Sequence, residues 1–467
     1  MGARAWAMLL VLCGAIFIEG IDVAMMSVSL PAIREDLGLS TATLSWVMSG
    51  YVLGYAGFIL LGGRAADLLG RRRMFLFWLV VFLAFSGLGG LASEGWMLIL
   101  ARFITGIAAA FMAPAGLSII TTSIPEGEPR NKAVLIYAGT AAAGFSLGLV
   151  VGGLLSAVHW RWVFFAPVFL AAILLVAAIK LIPKDSPAEK QKQKFDIAGA
   201  LSITAGLVAL VYGVVRLEHP SEGLALTIAA FVAAFVLIAV FVVIERRATS
   251  PLVRLGILRS AALARANIAA MLFGGAFFGF QFLMVLYLQE LRGWSPLETS
   301  LALLLTALDA ILAPTLTPKL VERFGNSAVI LGGMVLAAGS YALFLRVGMD
   351  WTYAAMLPTV VGLGTAFALA YGPLTIAATE GIAEEEQGLA SGLFYTSWQV
   401  GSALGLSAVT AISVAVIGQD TSAQAGLDGF RAALIVPLAA AIIAGIVTAF
   451  GLRRRGAVPE PEVVLAG

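Results

Sequence analysis

The sequence predicts an all-α integral membrane protein with fourteen membrane-crossing helices. Three observations carry this. First, hydrophobic residues make up 60% of the 467-residue chain and charged residues only 12%, with a mean hydropathy of +0.98. A soluble domain carries about 45–50% apolar and roughly 25% charged residues, and half that charge cannot coat so large a surface. Second, the apolar residues gather in runs near the roughly 20 residues that cross a bilayer as a helix. Third, the runs lack the every-second-residue alternation of a membrane barrel. A soluble enzyme, a disordered chain and a nucleic-acid binder are excluded. A single cysteine, Cys13, excludes a disulfide framework. With only His159 and His219 as histidines, a His/Cys metal centre is excluded too.

In order, the spans lie near 5–31, 44–65, 74–94, 96–123, 133–157, 162–182, 197–216, 222–244, 266–290, 296–318, 326–346, 352–378, 388–415 and 431–451. The first runs through Glu19 and Asp22 to Pro31 without a small-residue cleavage site, so it reads as a helix and not as a removed signal. Lysine and arginine set the orientation. With the N-terminus inside, twenty-two of the 29 basic residues fall in inner segments and six in outer loops. The six are Arg34, Arg161, Arg216, Arg292, Arg346 and Arg431, and Arg102 lies inside a span. That bias places both termini in the cytoplasm.

An internal repeat divides the chain. Gly63-Arg-Ala-Ala-Asp67-Leu-Leu-Gly70 after span 2 matches Pro318-Lys-Leu-Val-Glu322-Arg-Phe-Gly325 after span 10, a shift of 255 that lays acid on acid and Gly on Gly. Gly144-Phe-Ser-Leu-Gly148 in span 5 echoes Gly401-Ser-Ala-Leu-Gly405 in span 13. The shift maps spans 1–6 onto 9–14 and leaves spans 7 and 8 unpaired, behind the polar segment 183–196. The expected organisation is a six-helix bundle over 1–182, a linker with two inserted helices over 183–253, a second six-helix bundle over 254–455 and a cytoplasmic tail over 456–467. Parallel repeats of this kind are a transporter pattern, with the site between the halves at mid-membrane.

Several motifs now add up. The loop from Gly63 to Asp67, Gly70, Arg71, Arg72 and Arg73 resembles the signature loop between helices 2 and 3 of the major facilitator superfamily. Ala101-Arg102-Phe-Ile-Thr-Gly106 with Ala113-Pro114-Ala115 is similar to that superfamily's helix-4 arginine motif. Ile21-Asp22 through Ser29-Leu30-Pro31 resembles the helix-1 aspartate motif of its fourteen-helix drug:proton antiporters. Phe195-Asp196-Ile-Ala-Gly199 and Glu245-Arg246-Arg247 look like the borders of their inserted helices. The chain departs from the helix-5 antiporter motif in one place: Leu149 stands where the family has proline before Gly152 and Gly153.

Charges inside a membrane are functional candidates by default, since each costs several kcal/mol. Four lie well inside spans: Glu19, Asp22, Arg102 and Asp309. At about 1.5 Å per residue, Asp22 lies about 12 Å and Arg102 about 9 Å from the outer ends of their helices, which lets them pair. Glu19 and Asp309 reach about 17 and 20 Å, near the midplane. The four are the candidate proton-coupling set, with a purely structural ion pair as the alternative for Asp22 and Arg102 and a locally satisfied packing acid as the alternative for Asp309. Candidate substrate-lining residues are Glu19, Met26, Tyr51, Tyr55, Phe111, Tyr137, Phe145, Gln281, Asp309, Tyr371, Tyr395 and Gln399. Gly63, Asp67, Gly70, Arg71, Arg72, Glu322 and Gly325 are candidate gating residues, in which Asp67 would satisfy a helix N-terminus or pair with arginine. The alternative is that these arginines only set topology. Gly144, Gly148, Gly152 and Gly153 form a ridge that admits a second helix closely.

No nucleotide-binding loop is present, so no cofactor is expected and an ion gradient must supply the energy. The resemblance implies a monomeric, proton-coupled exporter of lipophilic, cationic drugs in a bacterial cytoplasmic membrane, with protons, membrane lipid and a small lipophilic molecule as its partners and no nucleic acid. Proton symport or export of a small metabolite or lipid is the alternative within transport. A membrane sensor or scaffold is the alternative outside it.

Overall fold

The computed structural model describes residues 2–39, 41–184, 196–216, 223–248, 256–257, 260–383, 386–418 and 422–455. Among the described residues, fourteen helical stretches are long and apolar enough to cross a membrane, matching the expected spans one for one. No strand occurs among the described residues. The first half comprises α1 (Ala3–Leu37), α2 (Thr41–Leu69), α3 (Arg71–Gly90), α4 (Gly95–Ser123), α5 (Glu128–Val158) and α6 (Trp162–Leu181). The inserted pair is α7 (Ile197–Arg216) and α8 (Leu224–Arg247). The second half comprises α9 (Ala261–Leu286), α10 (Pro296–Leu303), α11 (Asp309–Thr315), α12 (Thr317–Phe324), α13 (Asn326–Phe344), α14 (Tyr353–Thr379), α15 (Gln387–Ile417), α16 (Ala423–Ala433) and α17 (Ile435–Arg455). An even number of crossings brings both ends of the chain to one side, the termini end; the other side is the far end. Lys190, Lys192, Lys194, His219, Arg254 and Arg259 lie outside the described residues.

The repeat seen in the sequence is a repeat of packing. Helix α1 lies along α5, and α9 along α15; α3 packs on α4 and α6 as α13 packs on α14 and α17. Small residues let the paired backbones touch. A methyl added to Gly148 would lie 2.8 Å from the Cα of Ile21, and one on Gly152 2.6 Å from the Cα of Met25. One on Gly144 would lie 3.0 Å from the Cα of Phe17. In the second half a methyl on Gly275 would lie 2.7 Å from the Gly401 carbonyl, and one on Gly279 3.3 Å from that of Gly405. Gly153 does not belong to this ridge: its nearest neighbour, Val28, stands at an ordinary 3.9 Å. Backbone cannot yield as a side chain can, and overpacking costs about 1–3 kcal/mol even in yielding cores. Gly148→Val and Gly405→Val are therefore expected to lower the yield of folded protein in size-exclusion profiles, whereas Gly153→Ala leaves it unchanged.

The matched loops turn on glycine at equivalent positions. Gly70 (φ 101°) joins α2 to α3, and Gly325 (φ 80°) joins α12 to α13. Only glycine adopts that backbone without strain, which explains why the repeat keeps it.

Two departures from the expected spans stand out. Span 10, read as one helix over 296–318, is broken: a 3-10 turn over Leu304–Leu308 separates α10 from α11, and α12 starts afresh after Leu316. Its counterpart α2 is a single helix of 29 residues. Gly364 of α14 lets that helix sit against the turn, where an added methyl would lie 2.7 Å from the Leu305 carbonyl. Before span 14 an extra helix, α16, lies at the far end, started by Ser422, whose hydroxyl accepts from the Ala425 N–H at 3.2 Å.

Outer arginines that run against the charge bias are used as struts. Arg161 donates to the carbonyls of Gly90 and Ala92 at 3.2 and 2.7 Å, tying the start of α6 to the end of α3. Arg431 donates twice to the Val347 carbonyl, at 2.9 and 2.6 Å, just past α13. Ala92 and Val347 are equivalent in the repeat. A cation is favourable at the carbonyl end of a helix, and the same device closes each half at its far end.

Candidate functional site

A buried ion pair joins Asp22 of α1 to Arg102 of α4, with the residues 3% and 1% exposed. The depth match expected from helix rise is met. The Arg102 guanidinium also lies over the Tyr51 ring, 4.5 Å from its centroid, an attraction of about 2 kcal/mol where water is absent. Tyr51 stacks in turn on Tyr55, one turn further along α2, at 5.8 Å.

Glu19 lies one turn from Asp22 towards the termini end. Its carboxyl is within electrostatic reach of five tyrosines: Tyr51 and Tyr55 of α2, Tyr137 of α5, Tyr371 of α14 and Tyr395 of α15. The chain has nine tyrosines, so more than half lie within that reach, and they come from both halves. Tyr137 is anchored by donating to the Ala113 carbonyl at 3.2 Å. Tyr371 also feels Asp309, which is 1% exposed at the start of α11. Glu19 and Asp309 thus both lie within electrostatic reach of the same tyrosine, from opposite halves.

Not every expected lining residue joins this centre. Phe111 stacks on Trp78 of α3, with centroids 4.3 Å apart. Met26 is buried with Ile21, Met25, Leu98, Trp160 and Phe164 in the apolar core of the first half near the far end. Gln281 is buried on α9 and Gln399 half-buried on α15. Phe145 does reach across: its ring meets Phe278 of α9 edge-on at 5.6 Å. Behind Phe278 stands an aromatic wall missing from the expected set, in which Trp398 packs on Phe278, Phe367 and Tyr371 at 6.2, 5.8 and 4.6 Å. The spacing of these residues along α9, α14 and α15 carries no signal that separates them from lipid-facing rings.

At the termini end the halves meet backbone to backbone. Gly63 of α2 lies against Gly388 of α15, and a methyl on Gly392 would stand 3.2 Å from the Ile59 carbonyl. Asp67 accepts from the backbone N–H groups of Gly388 and Leu389, each at 3.1 Å, in the first turn of α15. A carboxylate is favoured there by the helix dipole. Arg71 donates to the same Asp67 Oδ1 that accepts from Gly388, at 3.4 Å, and Arg72 donates to the Ile179 carbonyl of α6 at 2.7 Å. Across the second seam, a methyl on Gly372 of α14 would stand 2.5 Å from a Leu135 methyl of α5. Glu322, the repeat partner of Asp67, is instead exposed on α12. The carboxylate clamp is therefore present at one of the two equivalent loops, and the structure is closed at the termini end.

A model of the Major Facilitator Superfamily matches residues 12–406. The chain belongs to the major facilitator superfamily. Among curated facilitator relatives, the lincomycin resistance protein of Streptomyces lincolnensis is 34% identical over 87% of this chain and 84% of its own. The puromycin resistance protein of Streptomyces alboniger is 31% identical over 96% and 90%, and the tetracenomycin C resistance and export protein of Streptomyces glaucescens 30% identical over 91% and 79%. The crystal structure of the human organic anion transporter MFSD10 superposes with a TM-score of 0.66 at 14% identity over 95% of this chain and 97% of that chain. At that identity the likeness shows the fold alone. In facilitator terms, the described site lies where the first and second halves meet.

Proposed function

We propose that this facilitator exports a lipophilic, cationic drug or antibiotic in exchange for protons, from a bacterial cytoplasmic membrane with both termini in the cytoplasm. The observation that carries the reading is the buried Asp22–Arg102 pair. Burying two charges costs several kcal/mol each, and a helix pair that needed only packing would place apolar residues there. The proton affinity of a carboxyl depends on desolvation and on a neighbouring guanidinium, so a change in the Asp22–Arg102 distance between states moves a proton. The resistance and export functions named for the relatives support the substrate class and the outward direction.

Glu19 and Asp309 are the acids assigned to the bound cation, and one chain holds both halves, so a monomer suffices. A cation bound between these acids displaces protons from them, which links substrate to proton. The test uses everted vesicles from an efflux-deficient host, acidified inside. Adding substrate is expected to discharge the gradient; a gradient that substrate leaves untouched, or that only lumenal substrate discharges, favours symport. In the same vesicles Asp309→Asn is expected to weaken cationic substrates several-fold more than neutral ones. Equal loss across charge classes assigns Asp309 to structure.

A further inference from the structure

Helices α7 and α8 have no counterpart in the repeat, and the mechanism above does not use them. They are not equivalent to each other. Helix α8 packs on α7 and turns Leu226, Ile228, Val232, Phe235, Val236 and Val240 outwards. Helix α7 instead touches both halves at the seam between α2 and α15.

Its two contacts differ in kind. Against α2 it is keyed in over Val208 to Tyr212: Gly57 leaves room for the Val208 side chain, Ala56 and Val211 are buried together with Val52 and Leu53 packed against them, and Trp46 stacks on Tyr212 at 5.7 Å. Against α15 it makes a lesser contact, which near the far end includes a bond from the Ser407 hydroxyl to the Val214 carbonyl at 3.3 Å. Interlocked apolar packing resists sliding, because separating it opens voids and loses many contacts at once. A single hydroxyl-to-carbonyl bond is worth about 1 kcal/mol and is easily exchanged for another carbonyl along a helix. Towards the termini end the same seam is closed directly by Gly63 on Gly388 and by Asp67.

We infer that α7 is a sliding wall: it moves as a rigid part of the first half and slips along α15 when the halves rock, keeping the far end of the α2–α15 seam closed to lipid. Lipid-dissolved substrate is then barred from this seam. Among the described residues, neither inserted helix packs across the other seam, between α5 and the broken span 10.

The test rests on motion and not on transport, so its outcome is separate from that of the exporter reading. Spin labels are placed in pairs on cysteines at three exposed far-end positions of full-length protein carrying Cys13→Ala: Leu226→Cys on the inserted pair, Trp96→Cys on α4 and Val416→Cys on α15. Distances are read in acidic and alkaline buffers, with and without substrate. The 96–416 pair reports rocking of the halves. The expected result is that its shift is shared by the 226–416 pair and absent from the 226–96 pair. A shift in 226–96 with 226–416 fixed places α7 on the second half and overturns the inference. Shifts in both show an independent insert and overturn it as well, as does a molecule in which none of the three distances moves.

Discussion

Asp22→Asn is expected to abolish substrate-driven proton movement and also to reduce stability. Removing one partner of a buried ion pair leaves the other charge desolvated and uncompensated, a cost of about 3–5 kcal/mol. In this chain Arg102 would keep the Tyr51 ring face, worth about 2 kcal/mol, and lose its carboxylate. A loss of transport alone would therefore not separate coupling from folding. The double variant Asp22→Asn with Arg102→Gln separates them, because it removes both charges and leaves two amides able to hydrogen-bond. Thermal stability in detergent is expected to recover most of the way, while proton movement stays absent. If the pair only holds α1 against α4, the double variant regains transport along with stability.

Asp67→Asn is expected to lower transport about tenfold or more at normal membrane abundance. The carboxylate accepts two backbone N–H groups across the seam between the halves, and hydrogen bonds to a charged group are worth about 1.5–3 kcal/mol. An amide has one oxygen and no charge, so at least one bond and the attraction to the start of α15 are lost. A shift of that size changes the weight of the closed state by roughly 10- to 150-fold. Glu322→Gln is the internal control: its carboxyl is exposed, and its effect is expected to stay within about twofold, since isolated surface charges contribute about 0–1 kcal/mol. Radiolabelled uptake into everted vesicles, normalised to protein by blotting, measures both. Equal losses in the two variants would reduce both loops to signals for membrane topology.

The helices were legible because lipid demands uninterrupted apolar runs of a certain length, and that demand is written in composition alone. The pairing of Asp22 with Arg102 was legible for a related reason: charges in lipid are rare enough to stand out, and helix rise alone brings these two to one depth. Rotation about the helix axis was not legible. In a bilayer the outer face and the packed face are both apolar, so nothing in the sequence shows that Phe111 turns to Trp78, that Met26 enters a core, or that Trp398 backs Tyr371. The partners of Asp67 were hidden because they are backbone N–H groups, which have no residue signature; the glycines Gly63, Gly388 and Gly392 were the available hint. The break before Asp309 was hidden too, since Leu304–Leu308 contains neither proline nor glycine. The strut from Arg161 to Ala92 looked like a violation of the charge rule until the helix end it binds was known.

The central claim is that one cavity exchanges substrate for protons in opposite directions. Purified protein in sealed liposomes, with a pH dye inside and no initial proton gradient, tests it most directly. An outward substrate gradient is applied by loading the lumen and diluting. The account predicts that substrate efflux acidifies the lumen in wild type and leaves it unchanged in the Asp22→Asn, Arg102→Gln double variant. Efflux that alkalinises the lumen, or that proceeds at full rate with no proton movement, would contradict it.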